Sequence, residues 1–237
     1  MIAVLAIDAL EYNLVEEFKC KNLLQKFHGK TDISEFSQPR TMVLWSSFIT
    51  GKNREKEVLA DGNREMWDKK WPVNETFFSR FKSPIVMDLP GFSYDTKVHA
   101  ESRRLLKEFF DAKTSEEKEK IKKQYNEDAF RHHRKIKEQF LRALEGNHDF
   151  VLGYFSIADV IGHLNFGNKA MMKIIYAELD DIAKIASETS EKLLVLSDHG
   201  MQAIGSFGDH SNYGFWSANF SAGFKNPKIT EMGKAIK

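Results

Sequence analysis

The chain opens on an unbroken apolar run, residues 2–7, that stops at Asp8. A run without polar alternation predicts a strand buried on both faces, the kind found inside a parallel sheet. Residues 150–155 and 193–196 have the same character, and 84–89 forms a shorter strand ahead of the turn pair Pro90-Gly91. Helical spacing fills the intervals. Leu14, Val15, Phe18, Leu23, Leu24 and Phe27 predict a helix over 10–27, with Gly29 as its C-cap. Residues 39–51 read as a loop entering a short buried helix that ends at Gly51. Residues 52–83 carry no clean period. Residues 99–144 are helical in composition, with a break near 111–115, where Ser115 precedes Glu116 and Glu117; this predicts two helices. Met171, Met172, Ile175, Leu179, Ile182 and Ile185 give 168–187 an apolar helical side, and the tail from Gly205 reads as loop. Strands alternating with helices predict an α/β fold with a mostly parallel sheet and helices on both faces.

Composition narrows the function classes. With 42% apolar and 29% charged residues, the chain is neither disordered, collagen-like nor a disulfide-stapled miniprotein. Lys and Arg total 35 against 34 Asp and Glu, so no global field draws in nucleic acid or a membrane surface. The charges of 99–144 are of both signs and read as a solvated helix face, with phosphate contact by Arg131 to Lys135 as the alternative. The lone cysteine, Cys20, has no intrachain partner; it reads as a buried apolar residue and fits a reducing compartment. The first apolar run is too short to span a bilayer and has no basic residues before it. Neither a signal peptide nor a membrane span is expected, and a cytoplasmic location is.

The chemistry gathers after the strands. Asp8, Asp159 and Asp198 each follow a strand candidate, and ligand sites of open α/β sheets lie beyond the carboxyl ends of strands. Acids delivered to one edge repel unless a cation sits among them. Asp159 and His163 are one helical turn apart, His199 adjoins Asp198, and His210 stands in a Gly-Asp-His sequence. A donor set of Asp and His without Cys suits Zn or Mn. Each motif alone is a weak signal; their joint order after strands is specific. His28, His99, His132, His133 and His148 fit no such pattern and read as structural or solvated. Among the hydroxyls of 39–51, the residues themselves do not choose between Thr41, Ser46, Ser47 and Thr50.

Four patches, 2–10, 39–54, 150–166 and 193–219, resemble the alkaline phosphatase superfamily, in particular its type I phosphodiesterase/nucleotide pyrophosphatase branch in a short prokaryotic form. Pro90-Gly91-Phe92 is a fainter echo of the same family. The resemblance implies a mixed, mainly parallel central sheet with helices on both faces. It implies one domain over 1–237, with 52–148 as a mostly helical insertion or reduced cap. It also implies two divalent ions, Zn by preference and Mn as the alternative. Asp8, Asp198 and His199 would hold one ion together with the nucleophile, and Asp159, His163 and His210 the other. The Thr50-Gly51 pair assigns the nucleophile to Thr41, which would form a phospho-threonine. The implied substrate is a small, nucleotide-like phosphodiester. Leu44 stands where many relatives carry a phosphate-binding Asn, and Arg40 is the candidate replacement donor. A phosphomonoesterase or phosphonate hydrolase on the same site, or a catalytically weak nucleotide-binding protein, are the alternatives. Oligomeric state leaves no mark in the sequence.

Overall fold

The computed structural model describes residues 1–236, with the backbone alone for 63 and 64. The chain enters through β1 (Ile2–Ile7), buried along its whole length. It continues through α1 (Tyr12–Glu17), β2 (Phe27–Asp32) and α2 (Thr41–Thr50). Two short helices, α3 (Glu55–Leu59) and α4 (Gly62–Glu65), and several 3₁₀ turns lead to β3 (Pro84–Met87). Helices α5 (Thr96–Asp111) and α6 (Ser115–Leu144) precede β4 (Phe150–Phe155), α7 (Ile157–Asn165), α8 (Lys169–Thr189) and β5 (Lys192–Ser197). A hairpin of β6 (Met201–Ile204) and β7 (Phe207–His210) is followed by β8 (Tyr213–Ala218) and α9 (Ile229–Ala235).

Six strands form one sheet in the order β2-β8-β5-β1-β4-β3. β1 pairs in parallel with β4 and β5, and β3 pairs in parallel with β4. β8 runs antiparallel to both β5 and β2, which makes the sheet mixed but mainly parallel. The apolar runs are continuous because each face has its own core. Ala3, Leu5 and Ile7 pack with Val151, Leu193 and the buried sides of α6, α7 and α8. Ile2, Val4 and Ala6 point the other way, toward α2 and α9. Burying one such large aliphatic side chain contributes about 1.5–3 kcal/mol, so one polar residue inside β1 would cost stability on either face.

α2 ends as its sequence predicts, with Gly51 in the left-handed conformation at φ 65°. The break between α5 and α6 is also present, closed by a capping box in which Thr114 and Glu117 satisfy each other's backbone N–H groups. Cys20 is buried, with Sγ 3.8 Å from the Tyr176 carbonyl oxygen. Among the described residues, no helix is long and apolar enough to cross a membrane.

Three expectations fail. The helix expected over 10–27 stops at Glu17. Lys19 takes φ 58°, and Asp180 of α8 captures the N–H groups of Asn22 and Leu23, each at 2.8 Å, so Leu23 is buried from a turn. Gly29 is not a cap. It lies inside β2 opposite Trp216, where an added Cβ would stand 3.2 Å from the indole Nε1. The tail after Gly205 is not loop: it supplies β7, β8 and α9.

Candidate metal centre

Asp8 is the first residue beyond β1, and Asp198 the first beyond β5. The parallel register pairs Ala6 with Leu196, so the two strands end level and present their acids side by side. On the other side of β1, β4 runs into α7, whose first turn carries Asp159 and whose next turn carries His163. His199 adjoins Asp198, and His210 is the last residue of β7. Thr41, the first residue of α2, lines the same cleft as Asp8, Asp159, His163 and His210, a space of about 160 Å³.

The ligand-type atoms converge. His199 Nε2 stands 3.4 Å from Asp8 Oδ1 and 3.3 Å from Asp198 Oδ2. Asp159 Oδ1 stands 3.2 Å from His163 Nε2 and 3.4 Å from His210 Nε2. Two trios, Asp8/Asp198/His199 and Asp159/His199/His210, each bring their donor atoms within 4.8 Å of one another. His199 thus stands between both groups, and its ring stacks on that of His210 at 3.9 Å. Each imidazole is oriented from behind: Nδ1 of His163 donates to Gly208 O, that of His199 to Gly200 O, and that of His210 to Pro39 O, at 2.9–3.2 Å. A carbonyl oxygen only accepts, so each Nδ1 carries a proton and each Nε2 is the nitrogen that faces the cluster. Meanwhile Asp8 Oδ1, Asp159 Oδ1, both Asp198 oxygens and the Nε2 atoms of His199 and His210 are buried without a hydrogen-bond partner among the described residues. Buried polar atoms are rarely left so. Carboxylate and imidazole atoms, oriented and unpartnered, are what a divalent cation requires, and the residues present fit one.

Electrostatics carries the same signature. Burial, with the charge of Asp159 added, pushes Asp8 up to about 7, and burial beside Asp8 pushes Asp198 well above the carboxylate range. Burial also works against ionisation of Asp159, but His163 and His210 overcome it and hold that carboxyl well below its usual range. Burial alone would lower His163; the Asp159 carboxylate instead lifts it to about 9, and lifts His210 in the same way. His199, buried beside His210, is pushed down to about 3. Left to themselves, the acids compete for too little positive charge.

Sequence reasoning missed the groups that support this cluster. The Tyr154 hydroxyl donates to Asp8 Oδ2 from the last residue but one of β4. Ser197 Oγ accepts from Leu10 N at 2.9 Å and donates to His199 O at 2.6 Å, binding the loops after β1 and β5 to each other. Glu11 accepts from Met201 N and from the Tyr213 hydroxyl, at 3.1 and 2.6 Å. A Tyr inside the apolar β4 and a Ser at the end of β5 carry no motif, so no local signal marked them. Arg40, flanking Thr41, donates from Nε to Gln38 Oε1 at 2.9 Å and is not among the residues lining the cleft. Leu44 is fully buried in the core.

A second cluster, Asp88/His99/His132, differs in kind. Both Nε2 atoms lie 2.7 Å from Asp88 Oδ2, at hydrogen-bond distance, and those imidazoles hold the Asp88 carboxyl far below its usual range despite burial. These groups satisfy one another, which agrees with a structural reading of His99 and His132.

A search of curated proteins finds no match to the chain. Among solved structures it is similar to murine ectonucleotide pyrophosphatase/phosphodiesterase 5, at 13% identity and a TM-score of 0.48 over 86% of this chain and 58% of that one. It is similar also to an inactive form of that protein in complex with AMP, at 12% identity and a TM-score of 0.49 over the same shares. The chain thus spans under two thirds of those neighbours' length. Residues 3–213, which contain every residue of the cluster, match the sequence profile of the type I phosphodiesterase/nucleotide pyrophosphatases, and the chain belongs to that family of hydrolases of phosphoric ester bonds.

Proposed function

We propose that this chain is a metal-dependent phosphodiesterase that hydrolyses a small, nucleotide-like phosphodiester through a phospho-threonine at Thr41. The observation that carries the reading is the meeting, beside Thr41, of buried carboxylate and imidazole atoms that have no hydrogen-bond partner. Asp8, Asp198 and His199 would hold one divalent ion, and Asp159, His163 and His210 the other. Oxygen and nitrogen donors without thiolate favour zinc, with manganese as the alternative. When bound, such ions supply the Lewis acidity that makes a threonine hydroxyl acidic enough to attack.

Thr41 Oγ1 attacks phosphorus in line with the bond that breaks. The alcohol departs with the proton that Thr41 loses, leaving the remaining ester on Thr41. Water then attacks the same phosphorus, the bond to Oγ1 breaks, and Thr41 recovers a proton as the monoester leaves. The first turn of α2 assists, because its N–H groups have no capping side chain and favour an anion. Tyr154 fixes one oxygen of Asp8, and the three backbone carbonyls behind the imidazoles hold each Nδ1–H so that Nε2 is the nitrogen turned toward the cluster. Trp67, Tyr94 and Arg103, from within residues 52–148, reach the cleft and cap it, while β3 of the same stretch belongs to the central sheet.

The test is turnover of bis(p-nitrophenyl) phosphate beside p-nitrophenyl phosphate. Chelator should abolish diester hydrolysis, and zinc or manganese should restore it. Thr41→Ala should lower it by orders of magnitude. Undiminished turnover in chelator or in Thr41→Ala overturns the reading, and exclusive turnover of the monoester favours a phosphomonoesterase.

A further inference from the structure

Arg103 lies on α5, outside the cluster, yet lines the same cleft as Asp8, Thr41 and Asp159. The arginines Arg54, Arg104 and Arg131 each pair with a carboxylate. Among the described residues, no carboxylate lies within 4.0 Å of Arg103. Its guanidinium is nonetheless held in place. Nη1 donates to the Tyr94 hydroxyl at 3.1 Å, Nη2 donates to the Thr96 carbonyl oxygen at 3.5 Å, and Cζ sits 4.3 Å from the centre of the Trp67 ring. Trp67 stacks on Tyr94 at 5.7 Å, and Tyr94 stacks on His99 at 4.2 Å with 11° between the planes. His99 is fixed in turn by Asp88. A ladder of rings therefore runs from the buried Asp88–His99 hydrogen bond to one half-buried cation in the cleft. Nε of that cation has no hydrogen-bond partner among the described residues.

An oriented guanidinium with an unpartnered Nε, spare N–H groups on its terminal nitrogens and no carboxylate counter-ion is built to take an anion. Its planar fork matches phosphate, and the rotamer freedom that a free side chain would lose on binding is already spent here. The phosphorus under attack has its own cradle in the cluster and the first turn of α2. We infer that Arg103 is a specificity-determining residue that binds a second phosphate of the substrate, so the site favours a diester-type bond in a molecule with a further phosphate group. This rests on the phosphodiesterase reading above.

The experiment uses the full chain loaded with zinc or manganese and two substrates of one nucleoside. Thymidine triphosphate carries further phosphates; the p-nitrophenyl ester of thymidine monophosphate carries none. In Arg103→Met, the ratio of kcat/KM for the triphosphate to that for the aryl ester should fall by about tenfold to a hundredfold, the worth of one charge-assisted hydrogen bond or two. The loss should lie mainly in KM, and Arg103→Lys should recover part of it. The triphosphate should also inhibit aryl ester hydrolysis less strongly in Arg103→Met than in the parent chain. An unchanged ratio overturns the inference: equal losses on both substrates would make Arg103 a support for Tyr94 and Trp67 only. Failure of the parent chain to hydrolyse the aryl ester would overturn the underlying phosphodiesterase reading instead, a result visible before any variant is made.

Discussion

His210 Nδ1 donates to the carbonyl oxygen of Pro39, two residues ahead of Thr41, across a separation of 2.9 Å in space and 171 residues in sequence. One imidazole therefore ties the β6–β7 hairpin to the entry of α2 while its other nitrogen faces Asp159. His210→Ala should reduce bound metal and lower diester turnover by orders of magnitude, because it removes a donor and frees the backbone that aims Thr41. Metal analysis of the purified variant beside its kinetics checks this; full metal content with full turnover would refute it.

Tyr154→Phe should separate fold from site. The ring keeps its edge-to-face contact with Trp45, at 5.7 Å between centroids, so the core stays packed. Only the hydroxyl that donates to Asp8 is lost. Metal affinity should fall about 10–100-fold. A metal titration of the variant reads this directly, with thermal unfolding as the control.

Stability of the metal-free chain should fall as pH rises from about 6.5 to 9. Asp8, raised to about 7 from 3.8, and His163, raised to about 9 from 6.5, bind protons more tightly folded than unfolded, as does His210. Their contribution is complete below the unfolded values and is lost as pH passes the folded ones: Asp8 loses its share between about 3.8 and 7, and His163 gives the fall between about 6.5 and 9. His199 and Asp159 are shifted downward and act below this window. Melting temperatures in chelator should therefore drop across the window. Added zinc should flatten the drop and release protons, which calorimetry in buffers of different ionisation enthalpy detects. A melting temperature that climbs from pH 6.5 to 9 in chelator would contradict the assignment.

Gly214→Ala should damage the site from the sheet. A Cβ there would collide with the Ser197 carbonyl oxygen and stand 2.9 Å from that of Asp198. β8 would have to withdraw from β5 at the point where Asp198 leaves the strand. The expected cost is about 1–3 kcal/mol, together with weaker metal binding. Denaturant unfolding and metal titration would show both; loss of stability alone, with metal affinity intact, would uncouple the two.

The sequence made β1, β4 and β5 legible because each is buried on both faces, and the acids legible because each follows such a strand closely. β2 was hidden for the opposite reason. Its residues Phe27 to Lys30 alternate between half-buried and exposed at the sheet edge, and the apolar residues before it mimic a helix. β8 is interrupted by Gly214 and sits in a Gly-rich tail, so its burial shows only once β5 and β2 flank it. Tyr154, Arg103 and the Asp88 trio come together through packing between distant elements. His99 and His132 reach Asp88 from positions 11 and 44 residues away, a spacing with no local rule behind it.

The level ends of β1 and β5 have a mechanical consequence. Neighbouring strands stand about 4.8 Å apart in any sheet, so the gap from which Asp8 and Asp198 start is a constant of backbone architecture, independent of neighbouring side chains. Loops and outer helices can then drift, altering which molecules enter, while the grip on an ion keeps its gauge.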